Sequence, residues 1–261
     1  MAKTALITGA SSGIGYALAK LFSKEKYQVI AIGRDQESLY RLLQECNSEF
    51  KSSVITLIKD LGKQESVDEI LIFLKQKKIN VDVLINNAGF GLWGPFNDVP
   101  IEKAIEMVNV HICALLKLTY YVLPYMIKNS NGHILNVGSV YSYTPVAYQI
   151  VYAATKSFMR SFTRGLKYEL KHQNINITLL CPGSTHTQFR KRLNLQERSY
   201  FGYLTAEEVA NAGFSGLMKN KDIVIPGLLN KLFVQIISRF PLSVIDFIVY
   251  KFRRFKRPKL A

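Results

Sequence analysis

Two tyrosine–lysine pairs with the same spacing stand out as candidates for chemistry. They are Tyr16 and Lys20 in "YALAK", and Tyr152 and Lys156 in "YAATK". At positions i and i+4 of a helix, the two side chains lie on one face. A free tyrosine has a pKa of about 10, and a neighbouring ammonium lowers that pKa, so such a pair can transfer a proton. Alone, such a pair is usually a surface pair, so the surrounding sequence must distinguish the two.

A glycine-rich segment, "TGASSGIG" (8–15), separates the first predicted strand from the first predicted helix. Its glycines are Gly9, Gly13 and Gly15. Such a turn lets the backbone approach a pyrophosphate closely, and the amides at a helix N-terminus favour an anion. Ser11 and Ser12 add hydroxyl donors. An ordinary glycine-rich turn is the alternative, but the position after the first strand favours phosphate binding.

The second predicted strand ends in "AIGRDQ", which places Arg34 and Asp35 where a dinucleotide's adenosine ribose is bound. The guanidinium of Arg34 suits a 2′-phosphate, which favours NADPH as the cofactor. Asp35 accepting a hydrogen bond from the ribose would favour NADH, the runner-up. A solvated surface charge is the third interpretation of Arg34.

Short apolar runs alternate with stretches of helical spacing along most of the chain. Strands are predicted at 3–8, 27–32, 53–59, 81–86, 132–138, 175–181 and 222–226. Helices are predicted at 13–25, 36–46, 65–76, about 101–128, about 150–172 and 205–218. This alternation predicts an α/β fold with a doubly wound parallel sheet, covered by helices on both faces, in a single domain.

The C-terminal part has a different pattern. Residues 1–227 are predicted to form the dinucleotide-binding and catalytic Rossmann unit, and 228–261 belong to the same domain. This second part contains two amphipathic helices, at 228–240 and 243–255, and a basic tail, "KFRRFKRPKLA". Such helices can lie on an anionic membrane, wall a hydrophobic substrate pocket or form a subunit interface.

Composition limits the class of protein further. Hydrophobic residues make up 48% and charged residues 20% of the 261 residues, as in ordinary globular proteins. The last eleven residues carry six of the fifteen net positive charges, so the body is basic as well. Such a balance fits nucleic acid, an anionic membrane or a phosphorylated cofactor. No nucleic-acid recognition motif occurs, and we expect no nucleic-acid partner.

Cysteine and histidine usage bears on metal sites and location. Cys46, Cys113 and Cys181 are widely spaced, which predicts a reducing compartment without disulfides or a zinc site. The sequence contains four histidines without metal-ligand spacing, His111, His133, His172 and His186. They are interpreted as structural or surface residues, and His186 is expected near the active site. The N-terminus does not resemble a signal peptide. A cytoplasmic location is expected, with peripheral membrane contact as an alternative.

Seven motifs occur in a fixed order. They are "TGASSGIG" (8–15), "KDLG" (59–62), "NNAG" (86–89), "VNV" (108–110), "GHILNVGS" (132–139), "YAATK" (152–156) and "CPGSTHT" (181–187). Together they resemble the short-chain dehydrogenase/reductase family over about residues 3–190. The segment from "NNAGFGLWGPF" through "YAATKSF" looks most like its DltE-like bacterial reductases. The resemblance implies a seven-stranded parallel sheet and NAD(P)-dependent oxidation of an alcohol or reduction of a carbonyl.

The resemblance also implies the site residues. The catalytic tetrad falls on Asn109, Ser139, Tyr152 and Lys156. With the arguments above, the predicted cofactor-binding residues are Gly9, Ser11, Ser12, Gly13, Ile14, Gly15, Arg34, Asp60, Leu61, Asn87, Ala88, Gly89, Tyr152, Lys156, Pro182, Gly183, Thr185 and Thr187. Asn109 would position the lysine through water. Trp93 and Phe96 are predicted to line either the substrate pocket or the core.

The chemistry follows from these positions. Tyr152 would donate a proton when a carbonyl is reduced and remove it in the reverse direction. Ser139 follows a strand end, where open α/β sheets bind ligands, and can hydrogen-bond the substrate oxygen. Only "YAATK" has such a partner, so Tyr16 and Lys20 are predicted to serve packing and the surface.

The sequence therefore predicts an NADP(H)-dependent oxidoreductase with a hydrophobic small-molecule substrate, assembled as a homo-oligomer, either a dimer or a tetramer. The alternative is a nucleotide-binding sensor or scaffold on the same fold, without turnover.

Overall fold

The structure is a computed structural model that describes residues 2–187, 203–241, 243–245, 247 and 250–251. The strands in this part are Thr4–Thr8 (β1), Gln28–Gly33 (β2), Val54–Ile58 (β3), Val83–Asn86 (β4), Gly132–Val137 (β5), Ile175–Leu180 (β6), Thr185–His186 (β7), Leu204–Thr205 (β8) and Ile223–Val224 (β9). The α-helices are Gly13–Lys24 (α1), Gln36–Phe50 (α2), Gln64–Gln76 (α3), Ile101–Val108 (α4), Ala114–Lys128 (α5), Ile150–Glu169 (α6), Ala206–Met218 (α7) and Leu228–Ile237 (α8).

Seven of the strands form one parallel sheet in the order β3-β2-β1-β4-β5-β6-β9. The predicted doubly wound, seven-stranded parallel sheet is thereby confirmed. β1 pairs with β2 on one side and with β4 on the other. The chain leaves these central strands in opposite directions, so a crevice opens at their carboxyl ends.

The two faces of the sheet bury separate cores. Ala5 and Ile7 of β1 pack into one core, with side chains from α1, α2 and α7. Leu6 points to the other, which is built with α3 and α5. Because both faces are covered, most strand residues are apolar, and the regular polar alternation of a half-exposed strand is missing.

Several local features differ from the sequence prediction. α2 continues to Phe50 instead of ending near residue 46, and stops where Lys51 adopts a left-handed φ of 50°. The helix predicted at 101–128 contains a π-helical turn, Asn109–Cys113. Two-residue strands β7 and β8 pair in a second small sheet. These features depend on single hydrogen bonds and tertiary contacts, which leave no periodic pattern in the sequence.

One helical stretch, Ile101–Lys128, is long and apolar enough to cross a membrane by length and composition alone. In the fold it covers the sheet, and 44% of its most apolar window is buried. Apolar core helices of soluble folds pass the same test, so the stretch is weak support for a membrane span.

The C-terminal helices are described in part. α8 occupies the first ten residues of the helix predicted at 228–240. In the second predicted helix, 243–255, residues 243–245, 247, 250 and 251 are described, and all are helical. The remaining positions of that helix and the basic tail lie outside the described residues.

A chain of buried amides and hydroxyls joins the sheet to α6. The amide of Asn86 donates to Oδ1 of Asn136 at 2.8 Å, and the amide of Asn136 donates to Oγ1 of Thr163 at 2.9 Å. Thr163 then donates to the carbonyl of Met159 at 2.6 Å. Buried polar groups are costly unless paired, so this network fixes the position of α6 relative to the strands of the sheet.

We expect Asn136→Leu to lower the free energy of unfolding by about 2–3 kcal/mol, because the buried amide of Asn86 loses its shorter hydrogen bond and keeps only the bond to Thr119 at 3.3 Å. Urea unfolding followed by circular dichroism measures the change. Asn129→Ala is the matched control: the Asn129 amide bonds Tyr125 O in an exposed position, and its loss is expected to cost less than about 0.5 kcal/mol. Equal losses in the two variants would contradict the assigned role of the buried network.

Candidate active site

A cleft of about 290 Å³ opens at the carboxyl edge of the sheet, between the loops that follow β1 and β4. Most of the predicted site residues line it. They are Gly9, Ser11, Ser12, Gly13, Ile14, Arg34, Asp60, Leu61, Asn87, Ala88, Gly89, Ser139, Tyr152, Lys156, Pro182, Gly183, Thr185 and Thr187. The fold therefore brings together in one cleft residues that are up to 178 positions apart in the chain, from Gly9 to Thr187.

Two predicted residues, Gly15 and Asn109, are not among the lining residues. A Cβ on Gly15 would lie 2.2 Å from Gly9 O, so this glycine permits the tight packing of the turn. The side-chain amide of Asn109 donates to the carbonyl of Gly62 at 3.1 Å. Asn109 thus holds the loop after β3, next to Asp60.

The glycine turn has the shape and the donors for a diphosphate. Gly9 adopts a φ of 69°, and a Cβ there would lie 2.8 Å from Cα of Ala88. Ser12 is the N-cap of α1 without a side-chain capping bond, and the first turn of α1 contains no acidic residue. The first amides of α1 are consequently available to an anion, which the helix dipole favours.

Hydrogen bonds tie the two loops that flank the cleft. The hydroxyl of Thr8 accepts from the backbone N–H groups of Asn87 and Ala88, at 2.9 and 3.0 Å. The side-chain amide of Asn87 donates to the carbonyl of Thr8 at 2.9 Å. Asn87 therefore connects β1 to the loop after β4, in addition to lining the cleft.

The end of β2 presents a cation among carboxylates. Nη1 of Arg34 lies 3.2 Å from Oε1 of Glu106 and 3.6 Å from Oδ2 of Asp60, and the Arg34 side chain is half exposed. Asp35 is the N-cap of α2, and its two carboxylate oxygens accept from the backbone N–H and the hydroxyl of Ser38. These bonds lower the pKa of Asp35. Arg34 is thus oriented along the rim of the cleft, whereas Asp35 is occupied by capping.

At the opposite end of the cleft, Lys156 is almost fully buried. Its Nζ donates to the carbonyl of Val137 at 2.7 Å and lies 5.7 Å from the ring centre of Tyr152. Burial lowers the pKa of Lys156 to about 8. A buried ammonium with a titration point near neutrality is typical of functional sites.

The pKa of Tyr152 differs from the expectation for a pair with lysine. Burial raises this pKa to about 12, and the hydrogen bond with Ser139 only partly opposes the rise. Tyr152 is therefore held as the neutral phenol in this structure, with a proton to donate. Ser139 sits just after β5 and is itself buried.

The second tyrosine–lysine pair lies elsewhere. Neither Tyr16 nor Lys20 is among the residues that line the cleft. Lys20 forms ion pairs with Glu45 at 2.9 Å and Glu49 at 3.2 Å on the outside of α1 and α2. The structure thus separates two pairs that have the same spacing.

The sequence reasoning missed several lining residues near Tyr152. They are Phe90, Val140, Tyr141 and Gln149. The ring of Tyr141 meets the ring of Tyr152 edge-on, with centroids 6.3 Å apart. Phe90 and Val140 follow motif residues directly in the chain, Tyr141 comes one residue later, and this adjacency was the available signal. Gln149 offered none.

Three aromatic residues that the sequence suggested near the active site, Trp93, Phe96 and His186, do not line the cleft. Trp93 stacks on Tyr148, with centroids 6.4 Å apart, and Phe96 is 58% exposed. Neither lines the cleft, so their assignment to the substrate pocket is not supported. His186 packs against Tyr203 outside the lining, although both of its neighbours in the chain line the cleft. In the described part of the chain, no group of three or more metal-binding side chains is assembled.

Comparison with known proteins gives a consistent picture. The family model for the short chain dehydrogenases matches residues 3–198. A serine 3-dehydrogenase of Rhizobium radiobacter is 35% identical over 219 residues, covering 81% of this chain and 86% of that protein.

Solved structures agree in fold. A short-chain dehydrogenase from Sphingobium yanoikuyae in complex with NADPH superposes with a TM-score of 0.81 at 27% identity, covering 92% of this chain and 96% of that one. A bulky-bulky ketone specific alcohol dehydrogenase from Comamonas testosteroni superposes with a TM-score of 0.76 at 27% identity, covering 92% and 95%. Given the glycine turn, the parallel sheet and a family match across most of its length, the chain belongs to the short-chain dehydrogenase/reductase family and is an NAD(P)-dependent oxidoreductase acting on CH–OH groups.

Proposed function

We propose that this protein is an NADPH-dependent reductase that interconverts a hydrophobic carbonyl compound and its alcohol, with Tyr152 as the acid and base. The observation that carries the proposal is the buried Lys156 beside Tyr152 and Ser139, at one end of the cleft. The glycine turn and Arg34 line the same cleft. A cleft with these two ends suits a dinucleotide whose nicotinamide lies next to the tyrosine.

The residues of the chain act on the substrate oxygen. When bound, the reduced nicotinamide supplies a hydride to the carbonyl carbon. The phenol of Tyr152 donates its proton to the carbonyl oxygen, and the resulting phenolate is stabilised by the ammonium of Lys156. The hydroxyl of Ser139 hydrogen-bonds the same oxygen and stabilises charge that develops there. In oxidation, the phenolate of Tyr152 removes the proton.

Asn109 has a supporting role in this proposal. Its amide nitrogen is bonded to Gly62 O. The amide oxygen and the second N–H are left for the predicted water-mediated link to Lys156. Asn109 also lies in the π-helical turn, where Ala114 N–H donates to its carbonyl. Such turns are frequent at functional sites because they redirect side chains.

The substrate class is proposed from the walls of the cleft near Tyr152. Phe90, Val140 and Tyr141 offer apolar or aromatic surface there, and Gln149 adds a polar group. A pocket of this kind favours a hydrophobic ketone or aldehyde. The related bulky-bulky ketone specific alcohol dehydrogenase supports this class. A sensor without turnover is the alternative, and the complete set of Ser139, Tyr152 and Lys156 argues against it.

We expect Tyr152→Phe to lower kcat for carbonyl reduction by at least about 100-fold, because general acid catalysis contributes roughly that much or more. The assay follows loss of NADPH absorbance with a panel of bulky aromatic and aliphatic ketones and aldehydes. Tyr16→Phe is the matched control, since it removes the phenol of the other tyrosine–lysine pair.

Wild-type turnover of at least one panel compound, lost in Tyr152→Phe and kept in Tyr16→Phe, would support the mechanism. Near wild-type turnover by Tyr152→Phe would exclude it. Tight NADPH binding without turnover of any compound would favour the sensor.

Arg34 is proposed to select NADPH by contacting the 2′-phosphate. We expect Arg34→Ala to raise KM for NADPH about tenfold. This change is near the low end of the free energies that hydrogen bonds to charged groups contribute, because the half-exposed Arg34 is screened by solvent. KM for NADH should change less than about twofold, because NADH lacks that phosphate.

The matched control for Arg34 is Lys103→Ala. Lys103 pairs with the same Glu106, at 2.6 Å, but does not line the cleft. A wild-type preference for NADH, or equal effects of Arg34→Ala on both cofactors, would overturn the assignment.

We also propose that the surface around α8 contacts anionic membranes. Leu228, Leu232, Ile236 and Phe240 are 71, 44, 54 and 53% exposed. They accompany the exposed Lys231 and Arg239 and precede the basic tail. Exposed apolar and basic side chains together suit an anionic lipid surface. α8 also adjoins the cleft, because Asn230 fills the space beside Gly183.

A homo-oligomer is proposed on a different surface. Ile105 of α4 and Tyr120 of α5 are 54 and 83% exposed, and large apolar side chains exposed in this way suit a subunit interface.

The full chain is expected to co-sediment with phosphatidylglycerol-containing vesicles at low salt and to bind pure phosphatidylcholine vesicles at least tenfold more weakly. Combined Leu232→Ser and Ile236→Ser should abolish vesicle binding, whereas Ile105→Ser, on the proposed subunit interface, should leave it intact. Equal binding to both lipids would exclude the electrostatic part of the proposal. A change of oligomeric mass in the double variant would assign the α8 surface to a subunit contact instead.

A further inference from the structure

The ring of His111 lies fully buried between two elements that border the cleft. On one side is the loop after β4, which includes Gly89 and Phe90, and on the other is α6, which carries Tyr152. Burial, reinforced by the charge of Lys156, lowers the pKa of His111 well below its usual value. The imidazole is therefore neutral, with one nitrogen that donates and one that accepts.

The hydrogen bonds decide which nitrogen carries the proton. The backbone N–H of Phe90 donates to Nε2 of His111 at 3.1 Å, so Nε2 is the acceptor. Nδ1 must then hold the proton, and it lies 2.8 Å from Oγ1 of Thr155. The hydroxyl of Thr155 in turn donates a hydrogen bond to the carbonyl of Tyr152 at 2.8 Å. A directed chain therefore runs from the loop through His111 to the backbone of the tyrosine.

Packing reinforces this chain. The rings of His111 and Tyr152 meet edge-on with centroids 5.8 Å apart, and the rings of His111 and Phe90 do so at 6.1 Å. A Cβ on Gly89 would lie 2.7 Å from Nε2 of His111, so the loop approaches the imidazole as closely as a glycine permits. On another side, Tyr141 meets the ring of Tyr152.

We propose that His111 is a positioning residue that fixes both the backbone and the ring of Tyr152 relative to the cofactor-binding loop. The proposal rests on the proposed role of Tyr152. An apolar side chain of similar size would fill the space but would leave the N–H of Phe90 and the hydroxyl of Thr155 without this partner. Misplacement of a proton donor by about 1 Å is enough to lower a rate by about 100-fold.

The two hydrogen bonds of His111 have separable consequences. Thr155→Val removes only the link to α6, so kcat for reduction should fall about tenfold while the Kd for NADPH stays within about twofold. His111→Leu removes both links, so the same loss of kcat should come with weaker NADPH binding. The double variant should have the kcat of His111→Leu alone, because both changes break one chain.

Thr178→Val is the matched control, because the buried Thr178 hydroxyl bonds the carbonyl of Lys221 at 2.6 Å, away from the cleft. It should lower the melting temperature without changing kcat. His111→Gln, whose amide can accept and donate in turn, should keep more activity than His111→Leu.

Kinetic measurements use NADPH and the best carbonyl compound of the panel. Additive losses in the double variant, or full kcat in Thr155→Val, would overturn the proposal. Undiminished activity of Tyr152→Phe would instead overturn the proposed function, so the two failures are distinct.

A second measurement is independent of turnover. In ¹⁵N spectra of histidine-labelled protein, with His111 assigned by comparison with His111→Gln, its ring should be the Nδ1–H tautomer. It should remain neutral across the range of about pH 5–8 in which histidine usually titrates. An Nε2–H tautomer, or titration in that range, would contradict the hydrogen-bond chain.

Discussion

The connections after β1 and β4 run to opposite faces of the sheet, and this divergence determines where the protein can bind a ligand. Because all paired strands of the main sheet are parallel, their carboxyl ends lie at one edge. The connections after β1 and β4 lead to helices on opposite faces, so the loops separate at that edge and cannot close over it. The glycine turn, Arg34, Ser139 and Tyr152 reach one cleft because each follows a strand end or starts the next helix.

Inside the fold, short polar chains hold these loops and α6 in register. Thr8 and Asn87 join the two cleft-forming loops, and Asn86, Asn136 and Thr163 join the sheet to α6. His111 and Thr155 join the loop after β4 to the same helix. All three sets are wholly or partly buried, where an unpaired polar group is costly. Hydrophobic burial is non-directional, whereas these directed hydrogen bonds have one satisfied arrangement.

Charge is distributed along the cleft in a way that fits its proposed ligand. The half-exposed Arg34 is steered by two carboxylates on the rim, and the buried Lys156 is held by a carbonyl. Burial lowers the pKa of Lys156 to about 8 and raises the pKa of Tyr152 to about 12. Both shifts disfavour the charged form, so the chain alone keeps the phenol protonated and the ammonium easily deprotonated. A cofactor with positive charge in its oxidised form would shift this balance toward the phenolate.

The sequence by itself determined the α/β fold and the family, because apolar periodicity and seven ordered motifs are local signals. It also favoured "YAATK" over "YALAK", since a loop separates Tyr152 from the strand-end Ser139, whereas Tyr16 directly follows the glycine turn. Tertiary structure alone decided which faces and loops meet. The capping role of Asp35, the bond from Asn109 to Gly62 and the burial of His111 depend on residues far apart in the chain or on backbone geometry. The pKa of Tyr152 was also decided there, because desolvation depends on the packing around the phenol, and no spacing of residue types encodes it.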